Sequence, residues 1–303
     1  MHQAARLILT ADPASGALDE RAGDRVRKIV QTKPRWLAQN AALQFDTDAS
    51  VTRQMIEPTL SGLPIDINVM LASCHAKKLL VADMESTMIE QEMIDELAGL
   101  TGRHEEIAAI TLATMRGELD FKQSLRHRVA LLAGLTTAQL ETVAARITPM
   151  PGAAALVSTM KADGAVTALV SGGFTVFIDK VAAQLGFDCH VGNVLEIETG
   201  RLTGRVLEPI LEATAKRDML LDLAAEYGLD LANVLAVGDG ANDVLMLEAA
   251  GLGVAFRAKP VVAAELLEAV RRALERDLAQ RASGERLEAL RTRAARLTGR
   301  ELD

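Results

Sequence analysis

Four unbroken apolar runs, each ended at once by a polar or glycine-rich turn, restrict this chain more than any other feature. They are Leu79–Ala82 before Asp83, Ala165–Val170 before Ser171, Asn233–Gly238 before Asp239, and Gly251–Phe256 before Arg257. A strand with one wet face alternates apolar and polar residues, whereas a continuous run suits a strand buried on both faces. The pattern predicts an α/β fold built on a Rossmann-like, doubly wound parallel sheet with helices on either side. Ligands in such sheets sit beyond the carboxyl ends of the strands. Asp83, Ser171 and Asp239 are therefore expected to meet at one edge although they lie far apart in sequence.

Between the first two runs, about 92–147 reads as helix and is too long for a simple crossover, so it should form a helical cap inserted after the first strand. Val194–Val206 alternates around Thr199-Gly200 and reads as a hairpin. The region 261–303, rich in Ala, Leu, Glu and Arg, reads as a helical tail with a solvated, mixed-charge face. Residues 1–75 have another rhythm. Short apolar runs ("RLILTA", "AALQF", "IDINVMLA") alternate with helical candidates near Asp19–Gln31 and Thr52–Leu60, with Pro34 and Pro64 as punctuation. This predicts a small α/β N-terminal domain, followed by a larger domain over 76–303.

A chain of 303 residues has room for two such domains. Its formal net charge of −8, with no basic stripe or tail, argues against nucleic-acid or anionic-membrane partners. Any anionic substrate must then be held by local positive groups. No apolar stretch reaches the length of a membrane span, and the N-terminal apolar run is too short for a secretory core. Cys74 and Cys189 have no disulfide-like spacing and read as reduced, small apolar residues. Cytoplasmic location is the expectation.

The turn residues carry the chemistry. Asp83 at the end of a buried run is suited to a helix cap, a metal ligand or a nucleophile. In Ser171-Gly172-Gly173-Phe174, two glycines let backbone N–H groups approach an anion, although Ser-Gly-Gly is also ordinary turn material. Gly238-Asp239-Gly240-Ala241-Asn242-Asp243 crowds oxygen side chains beside a core, which is costly unless a cation sits there, and an all-oxygen site suits Mg²⁺. Lys216 opens the helical run "KRDMLLDLAAEYG" and supplies a fixed positive charge. A carboxylate attacking a phosphoryl group meets like-charge repulsion, so such a site needs cations around both partners.

The order Asp83-x-Glu85-Ser86-Thr87, Ser171-Gly172-Gly173-Phe174, Lys216, Gly238-Asp239-Gly240-x-Asn242-Asp243 resembles the haloacid dehalogenase superfamily. From about Lys78 to Pro260 the chain is similar to its phosphoserine phosphatase family, through "STMIEQEMIDELA", "MRGELDFKQSLRHRVALLAGL", "MPGA" and "GLGVAFRAKP". The resemblance implies Asp83 as a phosphorylated nucleophile and Glu85 as the acid–base group. It implies Mg²⁺ on Asp83, the main-chain carbonyl of Glu85 and Asp239, with Asp243 in support. Ser171 and Gly172 would bind phosphate, Lys216 would offset charge at the nucleophile, and Asn242 would position phosphate or Lys216. In the cap, Glu92 lies beside the apolar stripe Ile89, Met93, Leu97 and Leu100, and can face a site. The family pattern gives Glu92 the substrate ammonium group, Arg128 its carboxylate, and Met115 and Phe121 the apolar wall. Arg126, by contrast, reads as a surface charge.

Three features depart from that pattern. Position 85 holds Glu where the family usually has Asp, and catalytic groups need placement within about 0.5 Å. The region after Pro260 reads as helix almost throughout. The N-terminal domain is ACT-like only in its coarse βα rhythm. The expected activity is Mg²⁺-dependent hydrolysis of O-phospho-L-serine, a small-molecule partner, as the last step of serine biosynthesis. The alternatives are a phosphatase or phosphotransferase for another small metabolite, and a slowly turning-over phosphoacceptor regulator. Oligomeric state is left open, a homodimer among the options.

Overall fold

The computed structural model describes residues 4–71, 76–116 and 118–258. Cys74 and the expected helical tail lie outside the described residues. The chain divides into two compact units, Met1–Ala76 and Lys77–Asp303.

The first unit runs β1 (Ala4–Thr10), α1 (Glu20–Val30), β2 (Pro34–Ala38), β3 (Ala42–Asp48), α2 (Arg53–Ile56) and β4 (Asp66–Leu71). Its sheet is antiparallel in the order β2-β3-β1-β4. This βαββαβ succession is the split βαβ arrangement. Asp19 caps α1 by accepting from the Ala22 N–H at 2.8 Å, and Leu7, Leu9, Val26, Leu43, Phe45 and Ile56 form the core. Pro34 does not merely punctuate. It opens β2, an edge strand, where the missing N–H costs no ladder bond.

The second unit begins with β5 (Leu79–Ala82), followed by four cap helices: α3 (Met93–Thr101), α4 (His104–Met115), α5 (Phe121–Ala130) and α6 (Thr137–Ala144). Then come α7 (Ala153–Ala162), β6 (Val166–Phe174), α8 (Thr175–Leu185), β7 (Cys189–Asn193) and a hairpin of β8 (Leu195–Glu198) and β9 (Arg201–Val206). The unit continues with α9 (Ala213–Glu226), β10 (Val234–Gly238), α10 (Val244–Ala249) and β11 (Leu252–Ala255). The five-stranded sheet is parallel throughout, in the order β11-β10-β5-β6-β7. Its three inner strands, β5, β6 and β10, bury both faces in alternation. Leu80, Ala82, Leu169, Leu235 and Val237 face the core shared with α7, α8 and the cap. Leu79, Val81, Ala168, Val170, Val234 and Ala236 face α9 and α10. That two-sided burial is the reason for three of the unbroken apolar runs, whereas the fourth forms β11, an edge strand that is largely exposed.

Three local readings need correction. β7, a partly buried edge strand, carries no apolar run, so the sheet has one strand more than the four runs suggest. Ser171–Phe174 belongs to β6, with a register shift against β7 between Val170 and Phe174, and α8 starts only at Thr175. Lys216 is the fourth residue of α9, whose first turn begins at Ala213. The hairpin forms as expected, with Thr199 and Gly200 both at positive φ, the conformation of a tight two-residue turn. Among the described residues no helix is long and apolar enough to cross a membrane.

Candidate active site

β5 lies between β10 and β6, so strand order reverses around it and a crevice opens beyond its carboxyl end. Asp83 follows β5 directly, and its N–H bonds the carbonyl of Val237 on β10 at 2.9 Å. The chain then turns tightly. The carbonyl of Met84 accepts from Met88 N–H at 2.8 Å and Ile89 N–H at 3.0 Å, with Ser86 at φ 54°. The same crevice receives Ser171–Gly173 from β6 and Asp239 from β10.

At its floor, Lys216 and Asp243 are buried to 1% and 0% exposure, and Asp83 to 5%. Lys216 Nζ lies 2.7 Å from Asp83 Oδ1 and donates to Asp243 Oδ1 at 2.6 Å. The other Asp243 oxygen accepts from the Gly240 N–H at 3.0 Å. Gly238 makes room for this arrangement, since a Cβ there would stand 2.5 Å from Asp243 Cγ. The Lys216 ammonium is held protonated by Asp83 and Asp243 against the effect of burial. Burial pushes Asp83 up to about 7, with Lys216 opposing and Asp243 adding to the rise.

One carboxylate oxygen from each of Asp83, Asp239 and Asp243 lies within 4.8 Å of the others. Three carboxylates face one ammonium here, and Asp239 too is raised, by burial and then by Asp243. An excess of negative charge in an all-oxygen pocket fits a divalent cation of the Mg²⁺ type. Thr87, buried beside Asp239, donates to its Oδ1 at 3.3 Å.

Glu85 spans the crevice. Its Oε1 accepts from the Met93 N–H at 2.9 Å, at the amino end of α3. Its Oε2 lies 3.1 Å from where a Cβ on Gly173 would sit, so Gly173 is the small residue that lets the carboxyl approach the Ser-Gly-Gly end of β6. The extra methylene of Glu thus bridges the strand-end loop and the first cap helix. Burial and then the charge of Glu92 push the Glu85 carboxyl up to about 8, with the Met93 N–H opposing. That shift favours the protonated form at neutral pH.

The cap contributes two more charges. Glu92 precedes α3 and accepts from Ser86 Oγ at 2.7 Å. The apolar stripe expected beside it is shorter than the sequence suggests: Ile89 lies before the helix in a bridge to Pro149, and Leu100 is 37% exposed. Arg128, on α5, is half-buried, and its Nε has no hydrogen-bond partner among the described residues. Burial lowers its pKa, while Glu85, Asp95 and Glu92 pull it the other way, so all three acids lie within electrostatic reach. Phe121 opens α5, and its Cζ is 3.4 Å from a Cβ position on Gly172. Met115 is the last residue of α4. Arg126 is a surface charge, as read, and pairs with Glu208 at 2.5 Å. Asn242 is exposed at its turn, and the contacts described for Lys216 go to Asp83 and Asp243.

The sequence reading assigned no role to Ser86 or Thr87. Their only signal was adjacency to Asp83, since each acts on a residue, Glu92 or Asp239, brought near by folding.

Residues 77–251 match the haloacid dehalogenase-like hydrolase family. A phosphoserine phosphatase of Streptomyces coelicolor is 47% identical over 212 residues, covering 69% of this chain and 52% of that protein. The chain thus spans about half the length of that relative. A HAD family hydrolase from Salmonella enterica subsp. enterica serovar Typhi superposes with a TM-score of 0.77 at 31% identity, over 87% of this chain and 92% of that one. A phosphoserine phosphatase solved as a phospho-aspartyl intermediate analogue gives a TM-score of 0.58 at 42% identity, over 62% of this chain and 90% of that one.

Proposed function

The chain belongs to the haloacid dehalogenase-like hydrolase family, and we propose that it is a Mg²⁺-dependent phosphoserine phosphatase working through a phosphoaspartyl intermediate. The observation that carries the substrate choice is charge placement. One acid, Glu92, and one guanidinium, Arg128, both lie within electrostatic reach of Glu85, two residues beyond Asp83. A zwitterionic amino-acid phosphoester needs such a pair, and the planar guanidinium matches a carboxylate as a fork. The names of the relatives support the same reading.

Asp83, the main-chain carbonyl of Glu85 and Asp239 would hold Mg²⁺, with Asp243 in support; the ion would screen the negative charge of phosphate and nucleophile. Lys216 holds Asp83 in place and offsets its charge. Ser171 and the backbone at Gly172 bind the phosphoryl oxygens, with Asn242 beside them, and Phe121 walls the pocket. An Asp83 carboxylate oxygen forms a bond to phosphorus as the ester P–O bond breaks. Glu85, protonated, gives its proton to the departing serine oxygen. Glu85 then removes a proton from water, which attacks phosphorus. The Asp83–phosphorus bond breaks, and carboxylate and phosphate are restored. On this reading the reaction is the last step of serine biosynthesis, with the cytoplasm as its expected location. The strand order of the N-terminal unit supports an ACT-like module.

Phosphate release from O-phospho-L-serine, with Mg²⁺ and with EDTA, tests the proposal against a panel of other small phosphomonoesters. The expected result is EDTA-sensitive turnover with phosphoserine preferred. Preference for another ester, or a stable acyl phosphate with negligible turnover, would refute it.

A further inference from the structure

Asn193, the last residue of β7, has no place in the chemistry above, yet it is fully buried and forms hydrogen bonds at both ends of its amide. Its Nδ2 donates to the Gly172 carbonyl at 2.7 Å and more weakly to the Leu211 carbonyl at 3.4 Å. Its Oδ1 accepts from the Leu211 N–H at 2.8 Å. Leu211 stands just before Glu212, the N-cap of α9, and α9 carries Lys216. One side-chain amide therefore ties the Ser-Gly-Gly end of β6 to the chain that delivers the buried ammonium.

The effect on this end of β6 follows from peptide geometry. In a trans peptide the carbonyl of Gly172 and the N–H of Gly173 point in opposite directions from one rigid plane. Asn193 holds the carbonyl side, and on the other side the Gly173 N–H donates to Ser171 Oγ at 3.0 Å. Two consecutive glycines leave this plane free to rotate unless something fixes it. With an Oγ lone pair occupied by Gly173, the Ser171 hydroxyl proton is directed elsewhere. β7 presses on the same end of β6, since a Cβ on Gly192 would sit 2.9 Å from the Gly173 carbonyl oxygen.

We propose that Asn193 is a positioning residue that locks the Gly172–Gly173 peptide and thereby commits the Ser171 hydroxyl to donating to a phosphoryl oxygen. This rests on the phosphatase reading for its ligand, and its test separates the two. Asn193→Asp preserves size and the acceptor for Leu211 but sets an oxygen against the Gly172 carbonyl. Affinity for inorganic phosphate, measured by titration calorimetry with Mg²⁺ present, is compared among wild type, Asn193→Asp, Ser171→Ala and the double variant. Loss of one committed hydrogen bond predicts a roughly tenfold weakening for Asn193→Asp. Because the effect passes through Ser171, the double variant should bind no more weakly than Ser171→Ala alone.

Additive losses, unchanged affinity in Asn193→Asp, or no phosphate binding by wild type would each overturn the proposal. Steady-state turnover of phosphomonoesters by wild type is read separately, and its absence would sink the function while the calorimetry still decides the lock. Should Asn193→Asp fail to fold, hydrogen exchange at the Gly173 amide in wild type decides instead. Slow exchange supports the lock, and exchange at the rate of an open loop refutes it.

Discussion

Replacing Lys216 with methionine removes an ammonium from between two buried carboxylates while nearly preserving the shape of the side chain. The Lys216 side chain is 2% exposed, with Asp83 at 2.7 Å and Asp243 at 2.6 Å. Breaking a buried pair from one side costs about 3–5 kcal/mol, because the stranded charge cannot return to water. Protonation limits that cost. Neutralising one carboxylate with an ordinary pKa near 3.9 takes about 4 kcal/mol at pH 7 and about 1.5 kcal/mol at pH 5. The folded variant therefore binds more protons than its unfolded chain, so its stability falls as pH rises. The deficit relative to wild type should be about 3–5 kcal/mol at pH 7 and shrink towards about 1–2 kcal/mol at pH 5. Denaturant unfolding followed by far-UV circular dichroism, in EDTA at several pH values, measures this. Adding Asp243→Asn should recover part of the loss. A deficit under about 1 kcal/mol at pH 7, or one independent of pH, would refute the charge arrangement deduced for the crevice floor.

Glu85→Gln should lower kcat by about two to four orders of magnitude, while Glu85→Asp retains most of it. The alkaline limb of the wild-type kcat profile, expected because Glu85 is raised to about 8 by burial and by Glu92, should vanish in Glu85→Gln. Arg128→Ala should raise KM for phosphoserine by tenfold or more, through loss of a charge-assisted fork worth about 1.5–3 kcal/mol. It should leave an uncharged phosphoester nearly unaffected in steady-state assays of both. Asp188 is held below the usual carboxylate range, burial being outweighed by hydrogen bonds from Lys161 and Thr167. Its stabilisation is present above the ordinary carboxylate pKa and is lost as pH falls through the folded value. Asp188→Asn should accordingly lower the thermal midpoint at pH 7, and the difference should close below about pH 4. Because the group is more than a third exposed, the loss should stay under about 1 kcal/mol.

Sequence made the sheet legible because burial on both faces leaves a local mark. Leu79–Ala82 and Val234–Gly238 must be apolar throughout, whatever their partners are. β7, half-exposed at an edge, left no such mark, and β2 was hidden behind a proline that only an edge strand tolerates. The polar turns were likewise visible, since Asp83, Ser171, Asp239 and Asp243 sit where apolar runs stop. The side chains that hold those turns were much less so. Asn193 and Thr87 look like ordinary polar residues in the chain, and their work lies in bonds to Gly172, Leu211 and Asp239.

Glu85 shows where the boundary falls. Its identity as a carboxylate two residues past Asp83 belongs to the sequence alone. That its longer arm reaches the amino end of α3, that Glu92 raises its pKa, and that Gly173 makes space for it were decided only when cap and sheet came together. Apolar periodicity is written residue by residue because each strand meets the same solvent-excluding surroundings. Hydrogen-bond partners and local fields arise between segments tens of residues apart, and no stretch of chain contains both halves of such a contact.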